Sequence, residues 1–131
     1  MNQATPAKQP KPSLEQQRSQ AAWKMAQQGV TSQAGKKYTN LAKAAPALIM
    51  QNGLLQTLAF YESKNEEQHK QLSGHLRRWI SLRLTGIDKD PGFSPLAEAL
   101  LGSNSADYRL ATQEALLLLR WLRQFAAALG D

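Results

Sequence analysis

Apolar residues along this chain recur at the three-and-four spacing of α-helices, with no convincing two-residue period of a strand. Leu14, Ala21, Ala22, Met25 and Ala26 keep that spacing, with Arg18 set among them. Ser13 and Gln16 make a capping-box pattern, so the first helix is expected to open there and run to Gly29. A break falls at Thr31–Gly35. A second helix is expected over Lys36–Ala44, turning Tyr38, Leu41 and Ala45 inward. Pro46 suits the first turn of a third, short helix, which Asn52-Gly53 would stop in a left-handed conformation. Leu54 to Tyr61 resumes as a strongly apolar helix. Ser63 with Glu66 forms a second capping-box pattern, opening a helix near Lys64 that reaches Leu84. Residues 86–94 read as loop, Ser94-Pro95 as the start of a helix ending at Gly102, and Ser105 or Ala106 as the start of a last helix to Leu129. The fold class is all-α: a compact single-domain bundle of six or seven helices.

The two long helices have distinct faces. Leu72, Leu76, Trp79, Ile80 and Arg83 share one side of the first, with Arg83 lying along the core edge by its aliphatic stem. Lys70, Gly74, Arg77, Arg78 and Ser81 fall opposite. That second face is either a phosphate-accepting surface or an ordinary solvated back. In the last helix Tyr108, Ala111, Ala115, Leu118, Leu122, Phe125 and Leu129 form an unbroken stripe. Arg109, Gln113, Arg120 and Arg123 face away. Leu110, Leu117 and Trp121 make a further strip, so either this helix is central or Leu117 and Trp121 meet a protein partner.

Residues 1–12 hold three of the six prolines and no large apolar side chain beyond Met1, and read as a disordered arm before a bundle domain at 13–131. They lack the apolar core of a secretory signal, and no apolar run is long enough to span a membrane. With no cysteine, disulfides and zinc ribbons are excluded, which fits a cytoplasmic protein. The formal charge of +6 is concentrated at one end. Up to Lys43 there are seven basic residues and one acidic one, Glu15; beyond it nine of each cancel. A basic third on a neutral body points to a polyanion contact or to a solubilising tail with a solvated face.

Catalytic and cofactor chemistry finds little support. Glu66-x-x-His69 has the spacing of half a di-iron site, but no second copy exists. His69 and His75 diverge by about 120° on one helix. Asp88, Asp90 and Gly92 miss the register of a calcium loop. No phosphate-binding loop or nucleophile motif occurs. The expectation is a binding protein with no catalytic residue, no metal and no cofactor.

Three segments carry a resemblance: SLEQQRSQAAW (Ser13 to Trp23), PALIMQNGLLQTLAFY (Pro46 to Tyr61) and YRLATQEALLLLRWLRQFAAAL (Tyr108 to Leu129). They resemble the small helical subunit of type III-B CRISPR–Cas effector complexes, the fifth component of the RAMP module. The resemblance is weakest over Ser63 to Asp107. It implies a non-catalytic subunit, copies of which stack as a minor filament beside RAMP-fold subunits holding the crRNA. Target RNA lies between the filaments, and the large cyclase-like subunit is a neighbour. Expected partners are therefore those subunits, further copies of the chain and the crRNA–target RNA duplex, with no membrane. Lys36, Lys37, Lys43, Lys70, Arg77 and Arg78 are then candidates for RNA backbone contact by charge. Arg18 matches the family motif, and it either meets RNA or pairs with a carboxylate in the bundle. The alternatives are a helical protein adaptor without RNA contact, or an autonomous basic nucleic-acid-binding protein.

Overall fold

A computed structural model describes residues 10–130. Six helices account for its secondary structure: α1 (Leu14–Thr31), α2 (Gly35–Asn52), α3 (Leu54–Lys64), α4 (Glu67–Thr85), α5 (Phe93–Leu101) and α6 (Ser105–Gly130). There is no strand among the described residues. The expected arm falls mostly at residues 1–9, outside the described part.

Ser13 caps α1 as its spacing requires. Its hydroxyl accepts from the Gln16 N–H at 3.1 Å, and Gln16 Oε1 accepts from the Ser13 N–H at 2.7 Å. Gly29 does not end the helix. It sits inside α1 because a Cβ there would run into the Tyr38 ring across the α1–α2 turn. The chain closes that turn at Ser32, whose hydroxyl donates to the Gly29 carbonyl.

The second and third expected helices are one. Pro46 lies within α2 and removes the bond to the Ala42 carbonyl, yet the helix continues. Tyr38, Ala42, Ala45 and Ile49 are all buried at unbroken three-and-four spacing through the proline, so burial on both sides of it holds the helix together. Gly53 ends α2 at φ +88° and ψ 160°, an extended positive-φ conformation rather than the helical left-handed one.

Ser63 is not a cap. Its hydroxyl is spent on the Phe60 carbonyl within α3, and Asn65 turns the chain with φ +52° before α4 starts at Glu67. In α5, Gly92 rather than Ser94 precedes the helix, which leaves Pro95 in the first turn, where its missing N–H costs nothing.

α6 lies at the centre, packed on α1, α2, α3 and α4. It runs parallel to α1, with Arg18 beside Glu114, Trp23 beside Phe125 and Val30 near Gly130. α2 and α4 run against them. The stripe of α6 is buried from Ala111 to Leu122, and Glu114, Leu119 and Ala126 join it. Leu72, Leu76, Trp79 and Ile80 of α4 complete the core, but Ser81, expected on the opposite face, is buried too.

A buried polar chain ties α1, α2 and α4. Tyr38 Oη lies 2.8 Å from His75 Nδ1, and His75 Nε2 lies 2.9 Å from Gln28 Oε1. Burial, reinforced by nearby Arg78 and opposed by Asp90, pushes the pKa of His75 down to about 4. The ring is thus neutral: Tyr38 donates to Nδ1, and Nε2–H donates to Gln28.

This arrangement has a pH signature. Between pH 6.5 and about 4 the unfolded chain takes up a proton that native His75 does not. Folding stability should therefore be full above that window and fall by about 3 kcal/mol as pH drops through it. His69, also pushed down by burial, acts in the same sense. Denaturant melts at stepped pH should show this loss, with a shallower slope in His75→Gln; equal slopes would show that His75 titrates normally.

Candidate functional site

The sequence-derived basic residues divide by what they touch. Arg18 is a bundle residue. Its Nε and Nη2 donate to Glu114 Oε1 and Oε2 at 3.0 and 2.8 Å, a two-bonded fork, and its Nη1 donates to Glu15 at 3.0 Å. Glu114 is 2% exposed. It also accepts from the Trp79 indole at 3.1 Å, and Arg83 Nε stands 3.3 Å away as an ion-pair partner. Burial pushes the Glu114 carboxyl up, but the Arg18 and Trp79 bonds and the arginine charges outweigh it and hold the group below its ordinary value.

Arg77 is likewise committed. Its Nε and Nη2 donate to Asp90 Oδ1 and Oδ2 at 2.8 and 2.9 Å, and its Nη1 donates to Ser73. Asp90 in turn accepts from the Gly92 N–H, so Arg77 fastens the 86–92 loop onto α4. Arg78 is looser, donating to Asp88 at 2.7 Å with both side chains about half exposed.

The lysines are different. Lys36, Lys37 and Lys43 project from α2, a helix without a single carboxylate, and Lys70 projects from α4. All four are exposed, and none is within ion-pair distance of a carboxylate among the described residues. Lys36 and Lys37 line a shallow groove whose far wall is Glu66, Glu67 and Gln68. Lys70 shares the next groove with Glu67, Gly74, Arg78 and Asp90. The α4 carboxylates therefore stand between the α2 lysines and Lys70, and the cations form two groups rather than one track.

Leu117 and Trp121 are both partly buried on α6, and Trp121 lies on its seam with α1. The Trp121 indole donates to Glu15 at 2.8 Å. Trp23, 42% exposed, meets Phe125 edge-on at 5.2 Å, and Phe125 lies 5.6 Å from Trp121. Trp23 and Phe125 thus extend this apolar seam, a juxtaposition invisible from either helix alone. Among the described residues no three His, Asp or Glu side chains gather as a metal site. None of their helices is long and apolar enough to cross a membrane.

Glu114 is the residue that the sequence pattern hid. It lies on the buried stripe of α6, three residues after Ala111, while Arg18 and Arg83 each interrupt an apolar face elsewhere. Opposite charges inside apolar stripes of separate helices are the signal that could have paired them.

Two measurements test these placements. Glu114→Gln leaves the largely buried Arg18 and the partly exposed Arg83 facing a neutral amide and should cost about 3 kcal/mol in chemical denaturation, the lower end for a broken buried pair. Trp79→Ala should cost about 3–5 kcal/mol, as for other buried aromatics. Trp121→Ala should cost clearly less, since its ring lies at the edge of the core and is only partly buried. Equal losses for the two tryptophans would show that both are core.

The geometry has close counterparts among known proteins. The family model described as CRISPR-associated protein (Cas_Cmr5) matches residues 14–129. A CRISPR system Cmr subunit Cmr5 from Thermus thermophilus is 30% identical over 110 residues, covering 84% of this chain and 90% of that one. The X-ray structure of a CRISPR-associated Cmr5 family protein from the same organism superposes with a TM-score of 0.75 at 28% identity, covering 92% of this chain and all of that one. Sequence and fold agree from the first helix to the last: the chain belongs to the Cmr5 family, the small helical subunit of the type III-B Cmr complex.

Proposed function

We propose that this protein is the non-catalytic small subunit of a type III-B CRISPR effector, stacking in copies as the minor filament and steadying target RNA against the guide-bearing filament. The observation that carries this reading is the outward face of α2, where Lys36, Lys37 and Lys43 stand on a helix free of carboxylates. Ammonium groups with no carboxylate in ion-pair range attract a phosphate backbone by charge, and they read no bases. Lys70 adds a fourth unpaired cation, with Arg78 beside it. Arg18 and Arg77 support the fold on which those lysines stand. The Trp121, Trp23 and Phe125 seam, together with Leu117 on the same helix as Trp121, suits contact with a neighbouring subunit, the RAMP-fold backbone or the large cyclase-like subunit. The complex acts in the cytoplasm.

Co-expression with the other RAMP-module subunits and a guide, with purification on a tag on this chain, tests the membership. The RNA contact is tested by replacing Lys36, Lys37, Lys43 and Lys70 with alanine in that complex. Surface charge changes of this kind move stability by less than about 0.5 kcal/mol each, so assembly should survive. Target affinity should fall similarly for unrelated target sequences. The slope of log affinity against log salt should flatten by about 0.7 for each phosphate that the variant no longer neutralises. Unchanged affinity and slope would overturn the RNA contact and favour a pure protein adaptor.

A further inference from the structure

A groove of about 270 Å³ runs between α1 and α4, on the side of α1 away from the aromatic seam. Its floor is apolar, made by Met25, Leu82 and the edge of Trp79. Its α1 wall is a row of polar side chains, Gln17, Gln20, Lys24 and Gln28, set three and four residues apart. On a helix this spacing places a donor about every 5–6 Å. Arg78 and Asp88 form the opposite rim.

Three features set this groove apart from a plain solvated helix face. Lys24 is exposed, with no carboxylate in ion-pair range among the described residues. Gln20 makes no side-chain hydrogen bond there, although Gln16 and Gln17 on the same helix do. The amide of Gln28 is fixed in orientation. Its oxygen receives the His75 Nε2–H, the last link of the buried chain from Tyr38, which leaves its NH₂ group free to donate. An interior polar chain thus orients one donor of this wall.

We infer that the α1–α4 groove is a seat for a stretch of single-stranded RNA, with Lys24 and Arg78 meeting phosphates and the glutamine row donating to backbone and base acceptors. This rests on the reading that the protein contacts RNA, and adds a site separate from the α2 lysines. A row of regularly spaced donors matches a polymer with regularly repeated acceptors. The only carboxylate of α1, Glu15, is turned to the other side, bonded to Arg18 and Trp121. Asp88 is the one anion on the rim, and it occupies Arg78 through a half-exposed pair. Such pairs are weak and exchangeable. Asp88 therefore holds the position that an RNA phosphate takes over, and its carboxylate competes with the ligand.

The test uses the full chain at low salt with a short fluorescein-labelled oligouridylate, a duplex RNA of equal length and an oligoglutamate peptide as probes. The single strand should bind more tightly than the duplex or the peptide. Lys24→Glu should weaken it about five-fold or more by reversing a charge on the path. Gln20→Ala should weaken it about two-fold with an unchanged melting temperature, since that side chain holds nothing in the fold. Asp88→Asn should tighten binding about two-fold, whereas Glu98→Gln on α5, an equal change of net charge, should not. Wild-type affinity in Lys24→Glu and Gln20→Ala, with loss on replacing Lys36, Lys37, Lys43 and Lys70, would overturn the groove and leave the RNA reading standing. No RNA binding by any form would overturn both. Peptide binding equal to that of RNA would overturn the choice of ligand.

Discussion

A carboxylate buried in the middle of the longest helix constrains everything packed around it. Glu114 is removed from water by α1 and α4, and a buried anion is tolerated only where donors surround it. Arg18 supplies two bonds, Trp79 a third, and Arg83 a further charge. Those partners come from helices distant in sequence, so the cluster forms only when α1, α4 and α6 meet in one register. Sliding α1 by a turn would bury Glu114 against Ala22 or Leu14 and strand the arginine. The interaction acts through specificity of packing more than through net stabilisation, since an apolar replacement of a buried pair is often neutral.

The same logic explains which parts of the fold were legible in the chain and which were not. Helix existence rests on local spacing and was readable everywhere. Boundaries depended on whether a local signal competed with tertiary burial. Ser13 and Gln16 stand at a free end, so their reciprocal bonds form as the pattern requires. Ser63 carries the same pattern, but it sits in the last turn of a helix already held by Leu54, Leu58 and Tyr61, and its hydroxyl bonds backward instead. Pro46 is a strong local stop, overridden because Ala42 and Ala45 on one side and Ile49 on the other are all buried in the core. Gly29 looked like a terminator and is a space-saver for Tyr38, a contact no local rule can foresee.

For the candidate site the sequence identified residue types but not their partners. Arg77 and Lys70 both fell on the outward face of one helix, yet Arg77 reaches thirteen residues onward to Asp90 while Lys70 reaches nothing. The difference is made by the path of the 86–92 loop, which periodicity does not encode. The stronger clue was chemical. A guanidinium offers a rigid fork that two carboxylate oxygens can fill, whereas an ammonium is a flexible, strongly hydrated point charge. Arg18 and Arg77 each take a carboxylate with both forks filled, and all four candidate lysines remain in solvent.

That division of labour bears on how a small basic protein can hold both a fold and a polyanion. Charges committed to buried or bidentate pairs are unavailable to a ligand, because leaving the partner carboxylate unpaired costs more than one phosphate contact returns. A net charge of +6 therefore says little about where RNA would lie. What matters is the distribution of cations whose partners are water. On α1, α2 and α4 these are Lys24, Lys36, Lys37, Lys43 and Lys70, separated by the Glu66 and Glu67 carboxylates and by the Arg78–Asp88 pair. A single copy thus offers short, separate cationic stretches rather than one continuous channel. On the proposed RNA reading, a long path over such a surface would require neighbouring copies to bring their stretches into line. On that reading, weak binding by one chain and firm binding by an ordered row would both follow from the same placement of lysines.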